Sequence, residues 1–115
     1  MSNQNVEDGE YRKLSPGEIK SESAKLSGWS LKEGKLHREI EFANFEDAIS
    51  FMSRAALEIT KLDHHPEWSN VYNHVTVDLT THDVGGISNY DFKLAKTLNG
   101  ILGNYKLKKS KGQKS

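Results

Sequence analysis

Asn70-Val71-Tyr72-Asn73-His74-Val75-Thr76-Val77-Asp78-Leu79 is the stretch whose reading decides the fold. Val71, Val75, Val77 and Leu79 fall on one side of an extended chain, and Tyr72, His74, Thr76 and Asp78 on the other. Side chains alternate between the faces of a strand, so this spacing predicts one strand with an apolar face and a wet face. The segment before it keeps a different period. Asn44 suits a helix cap, and Phe45, Ile49, Met52, Ala56 and Ile59 recur at spacings of four and three. That pattern predicts a helix with one core-facing stripe. Pro66 ends it shortly after Leu62, since the residue before a proline is driven out of the helical region.

Working outward, Leu36, Ile40 and Phe42 alternate with His37, Glu39 and Glu41, a second strand. Trp29-Ser30-Leu31 starts its partner, and Gly34 suits the hairpin turn between them. Ser15-Pro16-Gly17-Glu18 reads as a capping box that opens a short helix to about Leu26, with Gly28 ending it. Past the loop His82-Asp83-Val84-Gly85-Gly86-Ile87, Ser88-Asn89-Tyr90-Asp91 is a second capping pattern. Phe92, Ala95, Leu98, Ile101, Leu102 and Tyr105 make the stripe of the last helix. The order helix-strand-strand-helix-strand-helix predicts an α+β fold: a small antiparallel sheet of three to four strands with helices packed on one face. Such a sheet keeps an open edge that invites a second subunit.

The folded domain is expected over residues 14–105. Residues 1–13 have little apolar content and are expected to be loose. Residues 106–115 carry five lysines, no acid and one leucine, a basic tail that is either a localisation or nucleic-acid patch or simply solvated. Sixteen acids balance sixteen bases among 115 residues, so no global field steers the chain toward nucleic acid or an anionic membrane. With no cysteine, thiol nucleophiles, disulfides and thiolate-bound zinc are excluded. No apolar run reaches the roughly 20 residues that span a bilayer, and the polar start lacks a signal peptide's apolar stretch. The expected location is cytoplasmic, with the nucleus also open.

Three of the five histidines fall in loops at the ends of regular elements: His64 and His65 past a helix, His82 past a strand. Loops on a rigid scaffold are where chemistry tends to be placed, and an imidazole exchanges protons in both directions near neutrality. Asp63 offers a carboxylate to orient a ring or bind a donor-rich ligand edge. A His-His pair by itself also suits an inert polar helix end. Two or three of these histidines with Asp63 or Asp83 are adequate zinc or iron ligands as well, although adjacent histidines point differently and no HExxH spacing occurs.

The intervals around these residues carry more information than the pair. His64-His65-Pro66 is followed by Tyr72 six residues on, His82 ten after that, and later Asp91. With Lys61-Leu62-Asp63-His64-His65-Pro66-Glu67-Trp68, Asn70-Val71-Tyr72-Asn73, Thr81-His82-Asp83 and Gly28-Trp29, this resembles the pterin-4a-carbinolamine dehydratase family over about residues 14–105. The resemblance implies loss of water from a 4a-hydroxytetrahydropterin, released by an aromatic amino acid hydroxylase, to give the quinonoid dihydropterin in tetrahydrobiopterin recycling. It implies His64 and His82 as general acid and base and His65 as a binding and orienting residue, with no metal and no organic cofactor. Asp63, Thr80 and Thr81 are expected to hydrogen-bond the pterin edge. Trp68 is expected as an apolar wall, and Trp29 as a wall or as ordinary packing. Asp91 is expected to serve the helix start, as the third residue after the Ser88 cap. The resemblance further implies a homodimer or homotetramer and, as an alternative role, a dimerisation cofactor of a homeodomain transcription activator. Thr60 departs from the family, which often carries a charged residue there.

Overall fold

The computed structural model describes residues 11–108. Helix α1 spans Pro16–Ala24, β1 Ser30–Lys32, β2 Lys35–Phe42, α2 Phe45–Leu62, β3 Glu67–Val71, β4 His74–Leu79, α3 Asn89–Leu102 and β5 Leu107–Lys108. A single 3₁₀ turn, His82–Val84, lies between β4 and α3. The strands form one antiparallel sheet in the order β1-β2-β4-β3, with β5 pairing the end of β2. Leu36, Ile40, Phe42, Val75, Val77 and Leu79 enter one core with α2 and α3. The alternate positions His37, Glu39, Thr76 and Asp78 form the other face, so the expected α+β architecture holds.

Three expectations are corrected. The stretch 70–79 is a hairpin and not one strand: β3 begins at Glu67 and the chain turns at Tyr72-Asn73. Tyr72 takes a left-handed φ of 53°. The Asn70 side-chain amide donates to the carbonyls of Tyr72 and His74 at 3.0 and 2.9 Å, and that of Asn73 to the Phe42 carbonyl at 2.8 Å. Asn is the residue type whose amide competes in this way with a continuing ladder. Val71 is consequently exposed, and the sheet has five strands, not three or four.

The second correction concerns α2. Its buried residues are Ala48, Phe51, Ala55 and Ile59, whereas Phe45, Ile49 and Ala56 of the expected stripe are exposed. The true face is rotated by roughly 75° at 3.6 residues per turn. Two alanines let the helix approach the sheet closely while Phe51 fills the remaining space against Phe42, at 5.4 Å between rings. Third, the folded part begins before residue 14. The Arg12 amide donates to the Asn89 side chain at 2.7 Å, Lys13 bridges to Ser88, and the Leu14 amide donates to the Ile87 carbonyl at 3.0 Å. At the other end β5 uses two residues of the basic tail; the remaining tail, 109–115, lies outside the described residues.

Candidate functional site

The sheet register places the histidines. Glu67 opposes Asp78 in the antiparallel β3–β4 pair, so the residues that lead into β3 and those that follow β4 meet at one end of the sheet. Asp63 closes α2 in the left-handed conformation, φ 56°, its amide donating to the Ile59 carbonyl at 2.8 Å, and this turns the chain into His64-His65-Pro66. Across from it, Thr81 and Gly86 exchange backbone hydrogen bonds of 2.9 and 3.3 Å, closing the loop that carries His82.

His64 is buried, and its Nε2 lies 2.6 Å from Oδ1 of Asp91, which is wholly buried. Asp91 Oδ2 accepts from the Ser88 amide and the Thr81 hydroxyl, both at 2.8 Å. Ser88 Oγ lies 2.7 Å from Thr81 Oγ1, which in turn stands 3.4 Å from His64 Nε2. A carboxylate only accepts hydrogen bonds, so Nε2 of His64 carries a proton. Its other nitrogen, Nδ1, makes no hydrogen bond within the described residues, nor does it count among their fully buried unpaired atoms. Asp91 therefore selects the Nε2–H tautomer, and Nδ1 is left without a hydrogen bond inside the described residues. The expectation that Asp91 serves only the helix start needs extending: it completes the capping box of α3 and also holds His64, 27 residues away.

His65 and His82 differ from His64. Their side chains are 69% and 83% exposed, with Asp63 at 94%. His65 Nε2 stands 3.8 Å from Asp63 Oδ1, and His82 Nε2 stands 3.4 Å from Glu67 Oε2. The other Glu67 oxygen accepts from Lys35 Nζ at 2.7 Å. That hydrogen bond, opposed in part by desolvation and helped by His82, holds the Glu67 carboxyl below the usual carboxylate range. Glu67 is not among the site residues expected from the sequence, although its place two residues after His65 and at the first rung of β3 marks it.

Thr81 does not present its hydroxyl to a ligand as expected, because that hydroxyl is committed to Asp91 and Ser88 inside the fold. Trp29 donates its indole N–H to Asn99 at 2.8 Å, where Arg38 also donates at 2.8 Å, so its place is in the packing of α3 on β2. Trp68 pairs with Val77 across β3–β4 and packs on the core, one residue beyond Glu67. Thr80 is half-buried beside Thr81. Tyr72 stands at the far end of the hairpin, about 16 Å from Glu67 at ~3.3 Å per residue. Among the described residues no three histidine or acidic side chains converge as a metal site, and no helix is long and apolar enough to cross a membrane. A groove of about 740 Å³ between α1 and α3 runs past Arg12, Glu18, Glu22, Lys93 and Lys96, and none of the three histidines lines it.

The sequence profile described as Pterin 4 alpha carbinolamine dehydratase matches residues 12–101. A protein of Solibacter usitatus (strain Ellin6076), provisionally named a pterin-4-alpha-carbinolamine dehydratase, is 53% identical over 89 residues, 77% of this chain and 94% of its own. One of Chelativorans sp. (strain BNC1) with the same provisional name is 52% identical over 90 residues, 76% of this chain and 92% of its own. The crystal structure of a transcriptional coactivator/pterin dehydratase from Brucella melitensis superposes with a TM-score of 0.75 at 40% identity, over 78% of this chain and 98% of that one. With its histidine pair, its His82 loop and the matched span of residues 12–101, the chain belongs to the pterin-4-alpha-carbinolamine dehydratase family.

Proposed function

We propose that the protein removes water from a 4a-hydroxytetrahydropterin, with histidines as the acid and base, in the recycling of tetrahydrobiopterin. The observation that carries this reading is the buried His64–Asp91 pair, 2.6 Å apart, which leaves a single imidazole nitrogen for proton transfer. In the reaction the C4a–O bond breaks, the departing hydroxyl takes a proton and leaves as water, and a ring nitrogen gives up a proton as the quinonoid double bond forms. One group must donate and another accept. His64 and His82 fill these roles at the shared end of β3 and β4, and His65 with Asp63 and Thr80 orients the pterin, Trp68 walling it. Neither step calls for a metal or an organic cofactor. Positioned acid–base groups contribute about 10²–10⁴-fold each.

The test is the decay of freshly generated 4a-hydroxytetrahydropterin with the protein, with a His64→Ala, His82→Ala double variant, and with neither. Fast decay with the native protein alone supports the reading, and equal decay in all three overturns it. Equal decay would favour the second reading, a dimerisation cofactor of a transcription factor, which the coactivator name of the Brucella melitensis protein supports. Either role is compatible with a homodimer or homotetramer. The open edge of β3 ends in exposed Val71 and Tyr72, and α2 exposes Phe45, Ile49 and Leu57, apolar surface that a monomer leaves in water.

A further inference from the structure

The ring of Tyr11 lies 5.5 Å from that of His64 and 4.6 Å from that of Tyr90, while His64 and Tyr90 meet edge to face at 5.9 Å. The Tyr11 hydroxyl donates to the carbonyl of Asp63 at 3.3 Å, the residue whose left-handed turn directs the chain into the histidine pair. The segment behind it is tied down. The Arg12 amide donates to Asn89 Oδ1 at 2.7 Å and the Asn89 amide to the Arg12 carbonyl at 3.2 Å; Lys13 and Ser88 form a bridge. Those partners are the cap and first residue of α3, the helix start that holds Asp91. One short segment thus sets Tyr11 against His64 and is itself registered on the element that binds His64 from the other side.

We propose that Tyr11 is a positioning residue for His64: its ring, packed against both His64 and Tyr90, keeps water from that side of the His64–Asp91 pair. The imidazole is thereby held in the Nε2-protonated tautomer with Nδ1 presented. The catalytic consequence rests on the dehydratase reading above; the effect on His64 does not. Asp91 and Thr81 face His64 from α3 and the end of β4, and Tyr90 and Tyr11 supply the apolar sides. Burial, then the charges of Asp63, Tyr90, Asp83 and Asp91, hold the Tyr11 phenol above its ordinary range, so it remains a neutral donor.

The experiment combines ¹⁵N NMR of the imidazoles with steady-state kinetics on Tyr11→Ala, Tyr11→Phe and Asn89→Ala. In the native protein the two His64 nitrogens keep the separate shifts of one tautomer, and the Nε2 proton exchanges slowly with water. In Tyr11→Ala the shifts are expected to draw together, exchange to quicken at least 10-fold, and kcat to fall about 10-fold with KM changed less than 2-fold. Tyr11→Phe, which keeps the ring, restores both. Asn89→Ala, which loosens the segment without touching either ring, gives an intermediate effect and serves should Tyr11→Ala not fold. Unchanged His64 shifts and exchange in folded Tyr11→Ala, or in Asn89→Ala if it alone folds, would overturn the proposal whatever the activity. Altered His64 signals in a protein that has no dehydratase activity would uphold the positioning and overturn only the reaction.

Discussion

At the start of α1, Ser15 Oγ accepts from the Glu18 amide at 3.2 Å and Glu18 accepts from the Ser15 amide at 2.8 Å. At the start of α3, Ser88 and Asp91 make the same reciprocal pair. The first box is exposed, and the spare oxygen of Glu18 accepts from Arg12 at 2.9 Å. The second is fully buried, and the spare oxygen of Asp91 accepts from His64. The local chemistry is the same and the outcome differs, because a capping carboxylate uses one oxygen on its own helix and leaves the other for whatever the fold brings near. In water that oxygen gains little from a partner. In the core it demands one.

Breaking the buried box should give the largest effect. Asp91→Ala removes the acceptor of three hydrogen bonds and leaves His64 and Thr81 unmatched, at about 3–5 kcal/mol by the usual cost of breaking a buried pair. Urea denaturation checks this, and a loss near that of an exposed cap would show that the pair contributes little. Asp91→Asn is the sharper variant. Its Oδ1 can still accept, but an amide no longer compels Nε2 to carry the proton, so kcat should fall at least about 10²-fold, with KM moving less.

The next effect compares the hydroxyls. Ser88→Ala should cost about 2 kcal/mol, at the top of the range for lost caps, since Thr81 also loses a partner; Ser15→Ala should cost about 1 kcal/mol or less. Equal values would mean that burial does not separate the two boxes.

The smallest effect belongs to Glu18. The Ser15 amide first, then Arg12, holds its carboxyl below the ordinary glutamate range. A depressed folded pKa makes its contribution present above the unfolded carboxyl's range and lost as pH falls through the folded value. The carboxyl carbon should therefore titrate below the exposed glutamates, and Arg12→Ala should raise its midpoint only partly, because the amide remains. His37 behaves oppositely. Desolvation lowers its pKa, but hydrogen bonds to Glu39 at 2.9 Å and Asp78 at 2.7 Å outweigh it, so the pKa is raised. Its contribution is present below the unfolded histidine range and disappears as pH rises through the folded value. Asp78→Asn should reduce that pH dependence between neutral and mildly alkaline conditions, as seen in thermal unfolding at several pH values.

Much of this was legible in residues read one element at a time. Ser15, Pro16 and Glu18 mark α1, Gly34 marks the first hairpin, and Pro66 the end of α2, because caps, turns and breakers act within a few residues of themselves. The second hairpin is hidden because Val71 keeps the alternation of Val75 and Val77 straight across the turn, and only the Asn70 and Asn73 amides reveal the break. The face of α2 is ambiguous for a related reason: two apolar stripes lie side by side on it, and periodicity alone does not say which one meets the sheet.

The sequence by itself determined the three helices, the first hairpin and a strand ending before His82, since each follows from spacing along the chain; that His64, His65 and His82 come to one end of the sheet follows from the β3–β4 hairpin, which that spacing hides. It also marked Asp91 as the partner of the Ser88 cap, without showing its second role toward His64. Only the tertiary structure decided that His64 lies in the core on Asp91 while His65 and His82 stand in water, that Thr81 turns inward, and that Tyr11 closes over the imidazole. These depend on distances between elements far apart in the chain. Such distances are set by how side-chain volumes pack, and burial then decides which hydrogen bonds the fold must make.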